Sequence, residues 1–412
     1  MASLLPRVFD LPLTALEARL RESFGLPSFH ARAIWRAALS QGVTSFSGIT
    51  GLKVASRASL TSALHLRTGA SVRERLESSD GTRKFLLQLP REDPAQAPLS
   101  VESVLIPHAR GRVTLCVSSQ AGCALACSFC STGAQGFTAN LSPADIVEQV
   151  LLCGEQCAPT NVVFMGQGEP LLNLKAVAAA VGVLTSPHGL ALPPRRVTIS
   201  TSGIAPAIPR VATQCPGVRL ALSLHAPEDA LRSRLMGINN QYPLPAVFAA
   251  LKEFVALRLR SSASEEDSEG EEGEGGEGGP GRGGGTPPIP PGQRYNGTRR
   301  VRISFEYLLL SGLNDTQAHA EALARLLTTW TPHARLHSHV NLIPFNPWAG
   351  APAAFSTPSH AHTARFQNVL QEAGLSTTLR TPRGSDVSGA CGQLERAAKR
   401  ERLLRAGQVR YS

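Results

Sequence analysis

Over residues 8–66 the apolar positions recur at helical spacing: Leu13, Leu16, Leu20 and Phe24, then Phe29, Ala33, Trp35 and Leu39. Gly25 and Gly42 punctuate the pattern as helix stops, so a small N-terminal helical unit is predicted. From about residue 70 the period shortens to that of strands, at 84–89, 101–106 and 112–117. The last two flank Pro107-His-Ala-Arg-Gly111 and read as a hairpin. Further on, β-branched runs at 161–165, 196–200, 218–222, 301–305 and 338–343 alternate with helical stretches at 142–153, 173–184, 244–258, 316–329 and 360–373. That alternation predicts an α/β fold with a parallel sheet curled into a closed or partial barrel. In such barrels the chemistry sits at the carboxyl ends of the strands. Cys123, Gly166, Ser200, Ser223 and Asn346 each fall at or just past such an end, so five distant positions should converge on one pocket.

Composition refines this picture. A chain of 412 residues that is 42% hydrophobic can build one large domain and a smaller one. Residues 261–298 are rich in Ser, Glu, Gly and Pro, too poor in apolar surface to offset ordering entropy, and are expected to be a disordered insert. The expected layout is therefore an accessory domain at 1–95 and a core formed by 96–260 and 299–412. The net charge of +10 understates the basic surface, because residues 265–277 hold eight acids and no Lys or Arg. An Arg-rich surface suits phosphate contacts, with Arg195, Arg196, Arg299, Arg300 and Arg302 as candidates, although scattered solvated Arg is common in any basic protein. No run of eighteen apolar residues is present, so no membrane span is expected. The opening residues do not read as a signal peptide. A cytoplasmic protein is expected, an organelle stroma or matrix being the alternative.

The densest chemistry is Cys123-Ala-Leu-Ala-Cys127-Ser-Phe-Cys130. Thiolates spaced C-x3-C-x2-C can hold three irons of a [4Fe–4S] cluster and leave the fourth open to a small molecule. A zinc knuckle would need a fourth Cys or His nearby, and 121–140 contains no His; chance clustering of buried thiols is the other alternative. Eight cysteines, three in a motif that disulfide formation would ruin, favour a reducing compartment.

The cysteine spacing, with Phe129 before the last thiol, resembles the signature of radical S-adenosylmethionine (SAM) enzymes. Longer strings narrow the resemblance: Thr114-Leu-Cys-Val-Ser-Ser-Gln-Ala-Gly-Cys123, Gly133-Ala-Gln-Gly-Phe-Thr-Ala-Asn-Leu141, Met165-Gly-Gln-Gly-Glu-Pro-Leu171, Ser223-Leu-His-Ala-Pro227, Asn341-Leu-Ile-Pro-Phe-Asn-Pro347 and Ala390-Cys-Gly-Gln-Leu394. In this order they resemble the RlmN family of adenine-C2 RNA methyltransferases. The resemblance implies a partial (β/α)6 radical SAM barrel with a small N-terminal helical domain that helps grip RNA. It implies one [4Fe–4S] cluster on Cys123, Cys127 and Cys130, two SAM per turnover, and SAM contacts from Gly168, Glu169, Ser200, Ser223, Leu224, His225 and Asn346. It also implies that Cys391 accepts a methyl group, that Glu102 accepts a proton, and that Cys116 forms a transient disulfide with Cys391 to release the methylated base. The implied partners are 23S-type rRNA, tRNA as a further candidate substrate, and an electron donor such as flavodoxin or ferredoxin, on a monomeric enzyme. Gln167 departs from the family's more usual Gly or Met, and Ser385, Val387 and Ser388 vary the loop before Cys391. Two rivals stay open: C8 methylation by the related Cfr type, and a SAM-binding, cluster-containing RNA-binding factor without turnover.

Overall fold

The computed structural model describes residues 5–91, 93, 95–155, 157–269, 294–295, 298–299, 301–390 and 392–394. Three helices open the chain: α1 (Leu13–Phe24), α2 (Phe29–Ser40) and α3 (Val54–Thr61). Gly25 ends α1 in the left-handed region at φ 61°, where its N–H reaches the Arg21 carbonyl. Of the predicted stripe, Leu16, Leu20, Trp35 and Leu39 are buried, Leu13, Phe24 and Ala33 are partly covered, and Phe29 is exposed; Ile34, outside the predicted stripe, is buried in its place.

Ten strands form one sheet whose spatial order equals their order in the chain. They are β1 (Ser71–Glu77), β2 (Arg83–Leu89), β3 (Leu99–Pro107), β4 (Val113–Cys116), β5 (Asn161–Phe164), β6 (Val197–Thr201), β7 (Arg219–Ser223), β8 (Ile303–Leu309), β9 (Ser338–Pro344) and β10 (Ser376–Leu379). The first four pair antiparallel, and from β4 onward every pairing is parallel. Crossovers are made by α4 (Pro143–Gly154), α5 (Leu174–Thr185), α6 (Ile208–Gln214), α7 (Leu244–Glu269), α8 (Gln317–Thr329) and α9 (His360–Glu372). Each of these segments returns the chain to lay the next strand parallel to the last, the geometry that a βαβ unit requires. The result is an open, partial α/β barrel, as the alternation predicted. Ser142 begins α4 with a reciprocal capping box, accepting the Asp145 N–H while Asp145 accepts its own. No helix among the described residues is long and apolar enough to cross a membrane.

Three boundaries differ from expectation. Strands β1 and β2 lie inside the 1–95 segment yet belong to the barrel's sheet, so that segment is helical only up to Thr61. A seventh parallel strand, β10, was not predicted, because Ser-Thr-Thr-Leu is short and largely exposed and carries no alternation. Helix α7 continues through Ser261 to Glu269, so the 261–298 segment begins as helix, where Ser, Ala and Glu tolerate that conformation. Most of the rest of that segment lies outside the described residues. One hydrophobic cluster joins Val8, Leu20 and Trp35 of the N-terminal helices to Leu115, Phe164 and Phe305 of the barrel.

Candidate active site

A cavity of about 1240 Å³, counting its open mouth, lies at the carboxyl ends of the parallel strands. Gly166 after β5, Ser200 on β6 and Ser223 at the end of β7 line it together with Cys123, so four of the five expected positions converge. Asn346 does not line this cavity. It is buried in a smaller adjoining pocket that shares Ile106, Ile343, Arg380 and Ala390 with the main one.

Cys123, Cys127 and Cys130 all face the cavity from the loop after β4, and none is in a disulfide. Close backbone packing shapes that loop. A side chain at Gly122 (φ 75°) would meet the Gly136 carbonyl at 1.9 Å, and one at Gly133 would meet the Cys127 nitrogen at 2.9 Å. Burial pushes the Cys123 thiol up to about 11, with Cys130 and Glu169 adding to the rise, and it raises Cys127 further. Buried thiols of this kind ionise only when a cation sits among them, which iron would supply. Among the described residues no three His, Cys, Asp or Glu are arranged for a single metal ion. A cubic cluster spreads its thiolates around a larger core, and the donor set of three thiols on one wall suits it.

Glu169 is almost wholly buried and lines the same cavity. One carboxylate oxygen accepts the Leu171 N–H at 3.0 Å and the other the Ser202 N–H at 2.7 Å, tying the end of β5 to the end of β6. Burial raises its carboxyl above the ordinary range, and these N–H donors oppose the rise. Gly166 and Gly168 serve a purpose that the sequence did not reveal. Added side chains would strike Val117 at 2.7 Å and Gln120 at 2.4 Å, so the glycines admit the chain's own neighbouring loop. Gln167 between them is buried, with no hydrogen-bond partner for either amide atom among the described residues.

His225 sits at φ 58° on the cavity wall, its ring edge-on to Phe129 at 4.8 Å. Its Nδ1 accepts the Leu308 N–H at 3.0 Å, which leaves the proton on Nε2. Burial, then the Arg232 charge, lowers it to about 3, so the ring is neutral. Leu224 is fully buried; its N–H goes to the Glu306 carbonyl.

Cys116, the last residue of β4, lines the same cavity and pairs with Val104 of β3 in the ladder. Glu102 lies two residues before Val104, so the two share a face of the strand. It does not line the cavity; it is buried beside Lys84 of β2, whose Nζ is 2.8 Å from its Oε1. Cys391 lies outside the described residues, but Ala390, Gly392 and Leu394 around it all line the cavity. Leu394 packs with Val104, Ile106 and Cys116.

Comparison with known proteins bears on this arrangement. The radical SAM superfamily matches residues 117–263. A dual-specificity RNA methyltransferase RlmN from Syntrophobacter fumaroxidans is 39% identical over 94% of this chain and 97% of its own length. One from Alkalilimnicola ehrlichii is 40% identical over 96% and 97%. The chain belongs to the RlmN family. A crystal structure of a radical SAM methyltransferase from Sphaerobacter thermophilus superposes with a TM-score of 0.76 at 36% identity, covering 94% of this chain and 99% of that one. This RlmN-family chain is thus a SAM-dependent radical methyltransferase, with a [4Fe–4S] cluster and SAM as its cofactors.

Several side chains that build the site carry no motif. Arg232 is wholly buried on the short helix Asp229–Leu235 and donates to the carbonyls of Leu224, Ser202 and Ser223 and to Asn239. Glu306 of β8 lines the cavity beside Ser223, its register partner, and accepts from Ser304 and Asn341. An Arg in a helix and a Glu in a strand look ordinary until the register is known. Of the candidate phosphate contacts, Arg302 is engaged with Ser376 at 2.8 Å, while Arg300 lies outside the described residues.

Proposed function

We propose that this radical methyltransferase transfers a methyl group to C2 of an adenine in 23S-type rRNA, with tRNA as a second substrate. What carries the reading is the convergence on one cavity of three cluster-type thiols, the Cys116 thiol and both neighbours of Cys391. Adenine C2 is electron-poor, so direct attack on a methyl donor is unavailable and the carbon must arrive by another route. Cys123, Cys127 and Cys130 would hold the cluster, and Gly168, Glu169, Ser200, Ser223, Leu224 and His225 would hold SAM, with Asn346 reaching from the adjoining pocket. When bound, these cofactors supply a carbon-centred radical that can remove a hydrogen atom from an S-methyl group.

The chain's own residues do the rest. Cys391 accepts a methyl group by displacement, forming a sulfur–carbon bond as the donor leaves as S-adenosylhomocysteine. Glu102 takes the proton that adenine C2 gives up, while the adduct's one unpaired electron would leave to the redox partner. The Cys116 thiolate then attacks the Cys391 sulfur; a disulfide forms as the sulfur–carbon bond breaks, the bonding pair stays with the carbon on the base, and a proton completes the methyl group. The barrel mouth requires an unstacked nucleotide, which suits single-stranded rRNA or a folding intermediate. A flavodoxin or ferredoxin would deliver the electron to a monomeric enzyme.

The test is anaerobic reconstitution with iron and sulfide, followed by SAM and an unmodified rRNA fragment, with mass spectrometry of the digested RNA. The expected product is 2-methyladenosine; 8-methyladenosine would replace the reading with C8 chemistry. Cys391→Ala should abolish methylation, and Cys116→Ala should leave protein covalently joined to RNA. Full cellular function of Cys391→Ala would instead leave a factor that binds SAM and RNA without turnover.

A further inference from the structure

The turn between β1 and β2 grips the loop that carries Cys391. Asp386 accepts the Ser78 hydroxyl at 2.6 Å and the Ser79 N–H at 3.2 Å. Asp80 accepts the Gly384 N–H at 3.1 Å in return. Gly384, at φ 63°, lies so close to Thr82 that a side chain there would come within 2.7 Å of its methyl. Below this surface fastening is a buried one. The Lys84 ammonium, 4% exposed, lies 2.8 Å from Glu102 Oε1 and donates to the Ser388 carbonyl at 3.0 Å. Ser388 itself sits at φ 51°, an uncommon conformation for a residue with a side chain.

The other end of the loop is held by the helical turn that follows Cys130. The Ser131 N–H donates to the Gly392 carbonyl at 2.9 Å, and Gln135 and Thr132 donate to the Leu394 carbonyl at 2.8 and 3.1 Å. The described residues on both sides of position 391 are therefore held, Ser388 three residues before it and Gly392 one after. One hold is built from the cluster loop. The other is built from an ammonium that also holds Glu102. A buried cation costs free energy unless it is paired, so a lysine here makes sense only if both of its partners belong together.

We propose that Lys84 is a positioning residue, which fixes the loop bearing Cys391 against Glu102, with the bonds from Ser78 and Ser79 of the β1–β2 turn to Asp386 of that loop as its outer fastening. The inference rests on the roles given above to Cys391 and Glu102. It gives the β1–β2 hairpin a part in the reaction. The hairpin sets where the carbon carried by Cys391 meets the base, relative to the group that takes the proton. It predicts that loosening the clamp spares loading of Cys391 and harms delivery to RNA, because displacement needs only one thiolate whereas delivery needs three groups in register.

The experiment uses the full chain carrying Lys84→Met or Asp386→Asn. Asp386 is exposed, so its variant keeps the test alive should Lys84→Met fail to fold. Hydrogen exchange of the 384–394 peptide in cluster-free protein should speed up in both variants. After reconstitution, the S-methyl occupancy of Cys391 should stay within about twofold of the parent, whereas 5′-deoxyadenosine released per methyl delivered to RNA should rise about tenfold or more in Lys84→Met, and less in Asp386→Asn. Parental exchange and coupling in both variants would overturn the proposal. So would an equal fall of loading and delivery in step with the folded fraction, which is what a merely structural lysine gives. If the parent itself carries no methyl on Cys391, the assigned role of Cys391 fails instead, and the exchange measurement still decides whether Lys84 and Asp386 hold the loop.

Discussion

At the scale of single residues, the site is governed by which polar groups burial leaves ionised. His225 shows the effect most clearly. Its ring is buried on the cavity wall beside Phe129 and the Leu308 N–H, and its pKa is lowered from 6.5 to about 3 by burial and then by the Arg232 charge. The unfolded chain binds a proton at this ring below about pH 6.5 and the folded chain does not, so this residue favours unfolding as the pH falls. Its contribution to stability is complete above pH 6.5 and is lost progressively towards pH 3. His225→Asn should flatten that part of the stability profile of cluster-free protein by up to one proton. Asn suits the comparison because it tolerates the left-handed backbone and its oxygen can still accept the Leu308 N–H. Denaturant titrations between about pH 7 and pH 4 read the difference. An unchanged slope would show that the ring is already charged in the folded protein.

At the scale of elements, the site is a set of strand ends, and the question is what keeps them aligned. Arg232 answers it for β6 and β7. Its guanidinium reaches the carbonyls of Ser202, Ser223 and Leu224 at 2.6, 3.0 and 3.0 Å, while the Ser202 N–H holds Glu169. A lysine cannot span three divergent carbonyls with one ammonium. Arg232→Lys should therefore cost roughly 2–3 kcal/mol of stability, from carbonyls left buried and unpaired. It should also weaken SAM binding, which equilibrium dialysis of the reconstituted protein measures; unaltered affinity would show that these carbonyls do not set the position of the SAM contacts. The alternation of strands and helices was legible because each segment is an unbroken apolar run or stripe, and motif spacing then put Cys123, Gly166, Ser200 and Ser223 in one place. Arg232, Lys84 and Glu306 were not legible, because each acquires its meaning from a partner on another element. Lys84 and Glu102 meet only through the β2–β3 register, which no local pattern encodes. Strand β10 was missed for the opposite reason, since an exposed edge strand has no apolar face to mark it.

At the scale of the whole molecule, the N-terminal segment and the barrel share one sheet and one hydrophobic cluster, and they are expected to fold together. Strands β1 and β2 extend the barrel's sheet, and Val8, Leu16, Leu20 and Trp35 pack into the same hydrophobic cluster as Leu115, Phe164 and Phe305. The pair of half-buried Arg67 with buried Glu148 joins the segment before β1 to α4, and Arg7 does the same through Asp145. Removing residues 1–95 would strip β2 from β3, exposing the edge of a strand whose side chains are nearly all buried, including Val101, Val104 and Leu105. An apolar edge of that kind templates association with other chains. The fragment 96–412 should therefore be aggregation-prone and lack a cooperative transition. The full chain should melt in a single calorimetric transition whose van't Hoff and calorimetric enthalpies agree. A soluble 96–412 fragment with its own sharp transition, or two separated transitions in the full chain, would show that the accessory helices and the barrel fold independently. The hairpin that grips the Cys391 loop would then be an attachment to the barrel, whereas a single transition makes it one of the barrel's own edges.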